Sequence, residues 1–151
     1  MVRLLLIAGV LFAGSVMLSC QSYSTGLQQS LARADETSAL VALKTIYAGQ
    51  QAYSLSNGGA YGTFPQLCAG GYLDERFNSS SPQVKDYVLT MEVSGNSYHI
   101  NADPARAGEQ AGRHLYMDSS SPLVRVNATQ PATEKDPLDS KSKVTRAKGL
   151  M

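Results

Sequence analysis

The chain has 151 residues, the length of one small domain with tails. Its 43% hydrophobic and 17% charged residues are ordinary for a folded globular protein, and its formal net charge is +1. Arg3 is the only charged side chain within residues 1–19, so the rest of the chain carries 12 basic and 12 acidic side chains. This balance gives no electrostatic reason to expect a nucleic-acid partner.

The amino-terminal residues are typical of an export signal. Arg3 supplies the positive region, Leu4–Val16 supplies an uncharged apolar region, and Ser19 places a small residue before a candidate cleavage point. The 15 uncharged residues from Leu4 to Leu18 are fewer than the roughly 20 that span a bilayer comfortably. We therefore predict a signal peptide over residues 1–19, with an uncleaved anchor as the alternative.

The signal ends in Met17, Leu18, Ser19 and Cys20, a run that resembles the lipobox of bacterial lipoproteins. In that motif an apolar residue and two mostly small residues precede a cysteine whose thiol receives a lipid before cleavage. Met17 stands where leucine is usual, and Leu18 is bulkier than the preferred small residue. The resemblance implies lipidation of Cys20, and two or more acyl chains would anchor the protein stably to a membrane. With Gln21 next, it also implies a Gram-negative outer membrane, with the protein facing the periplasm or the cell surface.

The second cysteine, Cys68, would have no disulfide partner within the chain if Cys20 were lipidated. It lies among apolar neighbours in the stretch FPQLCAGGYL. We expect a small buried thiol here rather than a reactive one.

One amphipathic helix follows the anchor. Residues 20–33 are predicted to form a linker that contains a possible helix start, because residues 21–26 are small and polar. From Leu27 or Ala34 onward, apolar residues recur at steps of three and four, with Lys44, Gln50 and Gln51 between them. The repeat stops at Asn57 and the two glycines after it.

The remainder of the domain predicts an antiparallel sheet. After a loop with a possible helical turn at Phe64–Cys68, alternating apolar and polar residues indicate about four strands. They are Tyr87–Val93, Tyr98–Ala102, His114–Met117 and Leu123–Val126. A helix followed by a meander is an α+β fold in which the helix covers one face of the sheet. We place this globular domain at residues 34–128 and predict that residues 129–151, rich in proline and mixed charges, are disordered.

Two blocks of this domain, residues 36–74 and 86–125, resemble type IV pilin-like proteins and the pseudopilins of type II secretion. The first block resembles the segment of those proteins in which the end of the long helix runs into the following loop. The second block resembles their sheet. The matching residues are Ala39, Leu43, Thr45, Ile46, Ala48, Gln50, Gln51, Tyr53, Tyr61 and Leu67 in the first, and Tyr87, Tyr98, Ala102, Pro104, Gly108, Gly112, Arg113, Tyr116, Asp118 and Arg125 in the second.

One departure from that family lies at the amino terminus. Pilins begin with a peptidase site and a Phe-Thr-Leu-Ile-Glu type run, whereas no glutamate precedes Glu36 here. The resemblance therefore implies a pilin-like head without the polymerising stem. Its expected partners are the membrane, through the lipid at Cys20, and pilus or secretion-system proteins.

Catalytic chemistry finds little support in the residue pattern. His99 and His114 are the only histidines, no H-E-x-x-H motif is present, and a metal site would need both to meet a carboxylate. Residues 95–99 read G-N-S-Y-H, which is not the G-x-S-x-G of a nucleophile elbow. The acidic pairs Asp74 with Glu75 and Asp103 with Asp118 are typical of solvated loops or turn caps. We expect no catalytic, cofactor-binding or metal-binding residues.

These observations favour a non-enzymatic, lipid-anchored accessory or structural component of a type IV pilus or type II secretion-like apparatus in the cell envelope. One alternative is a small exported ligand-binding protein or enzyme of unknown substrate. Another is a pilin-like subunit that retains its amino-terminal helix.

Overall fold

The computed structural model describes residues 2–106 and 112–140, with side chains from residue 24 onward. Helix α1 (Val2–Ser56) is followed by helix α2 (Phe64–Ala69) and a 3-10 helix (Glu75–Phe77). Five strands come next: β1 (Gln83–Val84), β2 (Tyr87–Ser94), β3 (Ser97–Pro104), β4 (His114–Asp118) and β5 (Ser121–Asn127). They form one sheet in chain order, and each strand is antiparallel to its neighbours.

The α+β class predicted from the sequence is confirmed, but the sheet has five strands rather than four. The additional strand is β1 at one edge of the sheet, which pairs Gln83 with Val88 and Val84 with Tyr87. Two residues are too few to show the alternation by which the other strands were predicted.

Helix α1 runs without interruption through residues that were predicted to form a linker. The backbone is helical from residue 2 to residue 56, so neither Leu27 nor Ala34 is its start. No proline lies in this range, and hydroxyl side chains such as those of Ser30 and Thr37 donate to the carbonyl four residues earlier. Small polar residues are thereby accommodated within the helix. Its end is as predicted, since Gly58 and Gly59 both have positive φ angles.

The core lies between one face of α1 and one face of the sheet. The helix contributes Ala39, Leu43 and Ile46, all fully buried. Successive strand residues point to opposite faces, and alternate residues of β2, β3 and β4 face the helix, most of them buried and Met91 and Val93 partly buried. These residues include Tyr87, Leu89, Tyr98, Ile100, Ala102, Leu115 and Met117. The alternation predicted for β2 and β3 is therefore confirmed.

The loop between α1 and β1 packs on the helix through α2, at the place where a helical turn was predicted. Phe64 and Leu67 of α2 are buried, and the ring of Phe64 stacks on that of Phe77 at a centroid distance of 6.5 Å. This loop forms one flank of α1.

Residues 129–140, which we call the strap, were predicted to be disordered and are instead packed on the domain. Asn101 lies on the face of the sheet that points away from α1, and its Nδ2 donates to the carbonyl of Ala132 at 2.8 Å. Ala132 is buried. At the edge of β5 the amide of Val126 donates to Pro137, and that of Asp139 donates to Val124. The remainder of the predicted tail, residues 141–151, lies outside the described residues.

The predicted signal peptide and Cys20 lie where the structure describes no side chains, so their chemistry stays a prediction. Gly108 likewise lies outside the described residues. Within residues 24–106 and 112–140, no helix combines the length and the apolar character needed to cross a membrane.

Candidate functional site

A partly buried ion cluster holds α1, the start of β4 and the strap together on the β5 side of the helix. The guanidinium of Arg113 donates from Nη2 to Glu36 at 2.6 Å and to Asp139 at 3.0 Å, and from Nε to Glu36 at 3.2 Å. The backbone amide of Arg113 also donates to Glu36, at 3.3 Å. The side chain of Asp139 is only 1% exposed and that of Glu36 is 11% exposed, so both carboxylates depend on this one cation.

The electrostatics of the cluster keep Arg113 charged. Hydrogen bonding to Glu36 is the largest influence on Arg113, and it raises the pKa of the guanidinium above its ordinary value. Tyr87 donates from its hydroxyl to the carbonyl of Arg113 at 2.9 Å, and burial raises the pKa of this phenol. A permanently charged guanidinium held by two carboxylates is suited to joining chain segments, and we assign the cluster a structural role.

The side of α1 that points away from the core faces solvent and carries an apolar seam with no charged residue. Its members follow one another at alternating steps of four and three residues, an average of 3.5. They are exposed except for half-buried Ser38. We define the seam as Leu27, Leu31, Ala34, Ser38, Val41, Thr45, Ala48, Ala52 and Leu55.

Two grooves follow the seam on the β1 side of α1, one after the other along the helix. The first, of about 380 Å³, lies between Thr37–Ala42 and the segment that holds Arg76 and Lys85. The second, of about 690 Å³, lies between Val41–Ala52 and the loop at Gly71 and Tyr72. Val41 lines both grooves, so we treat them as a single trough. Its lining combines apolar side chains of α1 with the basic side chains of Lys44, Arg76 and Lys85.

Cys68 is buried, as its apolar neighbours predicted. Its Sγ lies 3.3 Å from the carbonyl oxygen of Asp74. Burial is the main cause that raises the pKa of the Cys68 thiol, and Glu75 and Asp74 add to the effect. A buried thiol with a raised pKa is a poor nucleophile at neutral pH.

The two histidines do not converge. His99 pairs with Asp118 across β3 and β4, whereas His114 pairs with Asn127 across β4 and β5, so they stand at opposite ends of β4. Each has its own carboxylate: Nε2 of His99 lies 3.5 Å from Glu92, and Nδ1 of His114 lies 2.6 Å from Asp103. No group of three metal-ligating side chains occurs in the part of the chain that the structure describes.

The other residues considered from the sequence have structural contacts. Asp74 accepts from the amide of Arg76 at 3.2 Å and so caps the 3-10 helix, and Asp118 accepts from the amide of Ser120 at 2.9 Å in a turn. Four tyrosines form edge-to-face pairs, Tyr53 with Tyr72 and Tyr61 with Tyr98.

The roles of two important residues were not predicted from the sequence. Gln50 was placed among the polar residues between the apolar positions, but it is fully buried and holds Gly62 by two hydrogen bonds, of 2.6 and 3.0 Å. Glu36 was noted only as the first glutamate of the chain. Both bind partners distant in sequence, which a local pattern does not reveal. The available signal was the spacing of Gln50, which lies four residues after Ile46 and therefore on the same face of the helix.

Comparisons of the chain with protein-family models, with curated proteins and with solved structures give no match.

Proposed function

We propose that the protein is a non-enzymatic, lipid-anchored, pilin-like component of the cell envelope, with an accessory or structural role in a type IV pilus or type II secretion-like apparatus. The observation that carries the proposal is the architecture of α1. Its buried face forms the core of an α+β head, and its amino-terminal part continues past that head. This order of elements is what the resemblance of residues 36–74 and 86–125 implies.

The mechanism would be placement. Cys20 belongs to the same helix as Glu36, the first residue of α1 that is buried in the head among those with described side chains. At 1.5 Å per residue these two positions are about 24 Å apart along the helix. A lipid on Cys20 would thus hold the head close to the membrane surface, with the seam of α1 open to a neighbouring protein.

Metabolic labelling with radioactive palmitate tests the anchor. The wild-type protein and Cys68→Ala should take up the label, and Cys20→Ala should not. Cys68→Ala is the matched control because it removes the other cysteine of the chain. An unlabelled wild-type protein contradicts the lipid anchor.

Cross-linking in membranes, followed by co-purification, tests the assignment to an apparatus. We expect the wild-type protein to be recovered with pilus or secretion-system components and Cys20→Ala to be recovered with much less of them. A purified protein that hydrolyses substrates from a generic panel would instead favour an exported enzyme.

A second candidate, a pilin-like subunit that retains its amino-terminal helix, is favoured by the unbroken helical backbone from Val2 to Ser56. The mass of the protein extracted from membranes separates the two. A chain that begins at an acylated Cys20 supports the lipoprotein, and a chain that keeps residues 1–19 supports the subunit.

A further inference from the structure

We propose that the trough on the β1 side of α1 is a docking surface for an acidic amphipathic helix of a partner protein. The inference rests on the proposed function for the setting in which the partner is met, and it deepens that function by stating the partner's chemistry. Shape, spacing and charge each contribute to it.

The length of the trough fits a helix. Its lining on α1 extends from Thr37 to Ala52, which corresponds to about 22 Å at the rise of an α-helix. A partner helix of four turns would fill this length. Its walls come from the loop after α1 and from β1, so the partner would touch both the helix and the edge of the sheet.

The spacing of the seam matches a helical partner better than an extended one. Alternating steps of four and three residues are the repeat by which two helices interlock their side chains along a shared line. Between Val41 and Leu55 the seam is built mostly from small residues, Thr45, Ala48 and Ala52, so a second helix could approach closely. Val41 lines both grooves and is 59% exposed, so it would lose water on docking.

The charge of the trough specifies an acidic flank on the partner. Lys44, Arg76 and Lys85 line it, and none of its lining residues is acidic. Arg76 already pairs with Asp74 at 3.1 Å, but the side chains of Lys44 and Lys85 have no ion-pair partner among the described residues. Glutamates beside the apolar seam of a partner helix would meet both lysines.

The same face of a second copy of this chain does not supply that complement. Lys44 is the only charged residue of α1 between Thr37 and Leu55, so the equivalent face of another copy brings a further cation and no acid. The charges of the trough therefore favour a different protein over a symmetric contact between the same faces of two copies.

Fluorescence anisotropy with two synthetic helical peptides tests the inference. Both peptides carry leucine and alanine in alternation at the positions that would face the seam of α1. One has glutamate and the other has lysine at the flanking positions. The full-length protein in non-ionic detergent should bind the glutamate peptide at least about tenfold more tightly than the lysine peptide. The variant Lys44→Glu/Lys85→Glu should reverse this preference.

Two further variants show whether the trough itself is responsible. Val41→Glu places a charge in the seam and should weaken binding of the glutamate peptide, whereas Lys135→Glu changes an exposed lysine on the strap and should leave it unchanged. The inference would be overturned if the protein bound the two peptides equally, or if it did not bind the glutamate peptide up to about millimolar concentration. It would also be overturned if Lys135→Glu weakened binding of the glutamate peptide as much as Val41→Glu does. A dimer in sedimentation velocity that Val41→Glu dissolves would overturn it as well. None of these measurements depends on palmitate labelling, so a failure of the lipid-anchor proposal can be distinguished from a failure of the docking proposal.

Discussion

The two flanks of α1 differ in what covers them. On the β5 side, Arg113 and the strap close the junction between helix and sheet with ion pairs, and Asp139 there is almost fully buried. On the β1 side, the edge strand has only two residues, and a trough stays open beside Val41. One flank therefore stabilises the fold, and the other is available for contact. Substitutions on the two flanks should accordingly affect different properties.

The largest loss of stability is expected from Arg113→Ala, because it leaves Glu36 and Asp139 buried without a cation. Removing one partner of a buried ion pair costs about 3–5 kcal/mol. Since 35% of the Arg113 side chain is exposed, solvent screening places the expected loss near the lower end, at about 3 kcal/mol. Urea unfolding of the full-length protein in detergent measures it.

Arg106→Ala is the matched control for that experiment. Its Nε lies 3.4 Å from Asp86, and its side chain is 84% exposed. We expect a change below about 1 kcal/mol. Equal losses in the two arginine variants would contradict the structural role of the ion cluster.

Gln50→Ala should cause the next largest loss. It removes the side chain that binds both the amide and the carbonyl of Gly62, and it leaves these backbone groups buried without partners. The expected cost is about 2–3 kcal/mol. The neighbouring variant Gln51→Ala, at a partly exposed position, should change stability by less than about 0.5 kcal/mol in the same unfolding experiment. A Gln50→Ala protein as stable as Gln51→Ala would show that the loop does not depend on this side chain.

Gln50 and the strap also show which parts of the structure could not be predicted from the sequence. Strands β2 and β3 were predicted from the alternation that buries Leu89 and Ile100, since that signal is local. The strap has prolines and mixed charges, and nothing in its composition predicts order. It is held by individual hydrogen bonds to Asn101 and Val124, which are distant in sequence. The buried face of α1 at Leu43 and Ile46 was predicted, but Leu27 and Leu31 belonged to the same predicted repeat and are exposed. The trough could not be predicted because it depends on how the loop after α1 packs.

The contribution of Asp136 to the strap should depend on pH. Its carboxylate accepts hydrogen bonds from the backbone of Thr133, which is the largest cause, then from the Thr133 hydroxyl and from Asn127. These bonds lower its pKa from the ordinary 3.8. Because the pKa is lowered, the stabilising effect of the Asp136 carboxylate is complete above the ordinary pKa and is lost as the pH falls through the lowered pKa. Asp136→Asn should therefore differ most from wild type at neutral pH and converge with it in acid.

Unfolding in urea over a pH series measures this convergence. Glu134→Gln serves as the control for loss of one negative charge from the strap, since no hydrogen bond to the Glu134 side chain occurs among the described residues. A gap between wild type and Asp136→Asn that stays constant down to the lowest pH would contradict the assigned hydrogen bonds.

The smallest effect on stability is expected on the open flank. Val41→Gln replaces an exposed seam residue by a polar one that is compatible with a helix, so its free energy of unfolding should lie within about 0.5 kcal/mol of wild type. Binding of the glutamate peptide should nevertheless weaken, because the substitution removes apolar surface from the middle of the trough. Unfolding and anisotropy measured on the same preparation give both values. A variant that loses more than about 1 kcal/mol of stability would show that Val41 supports the fold, and the division of roles between the two flanks would then not hold.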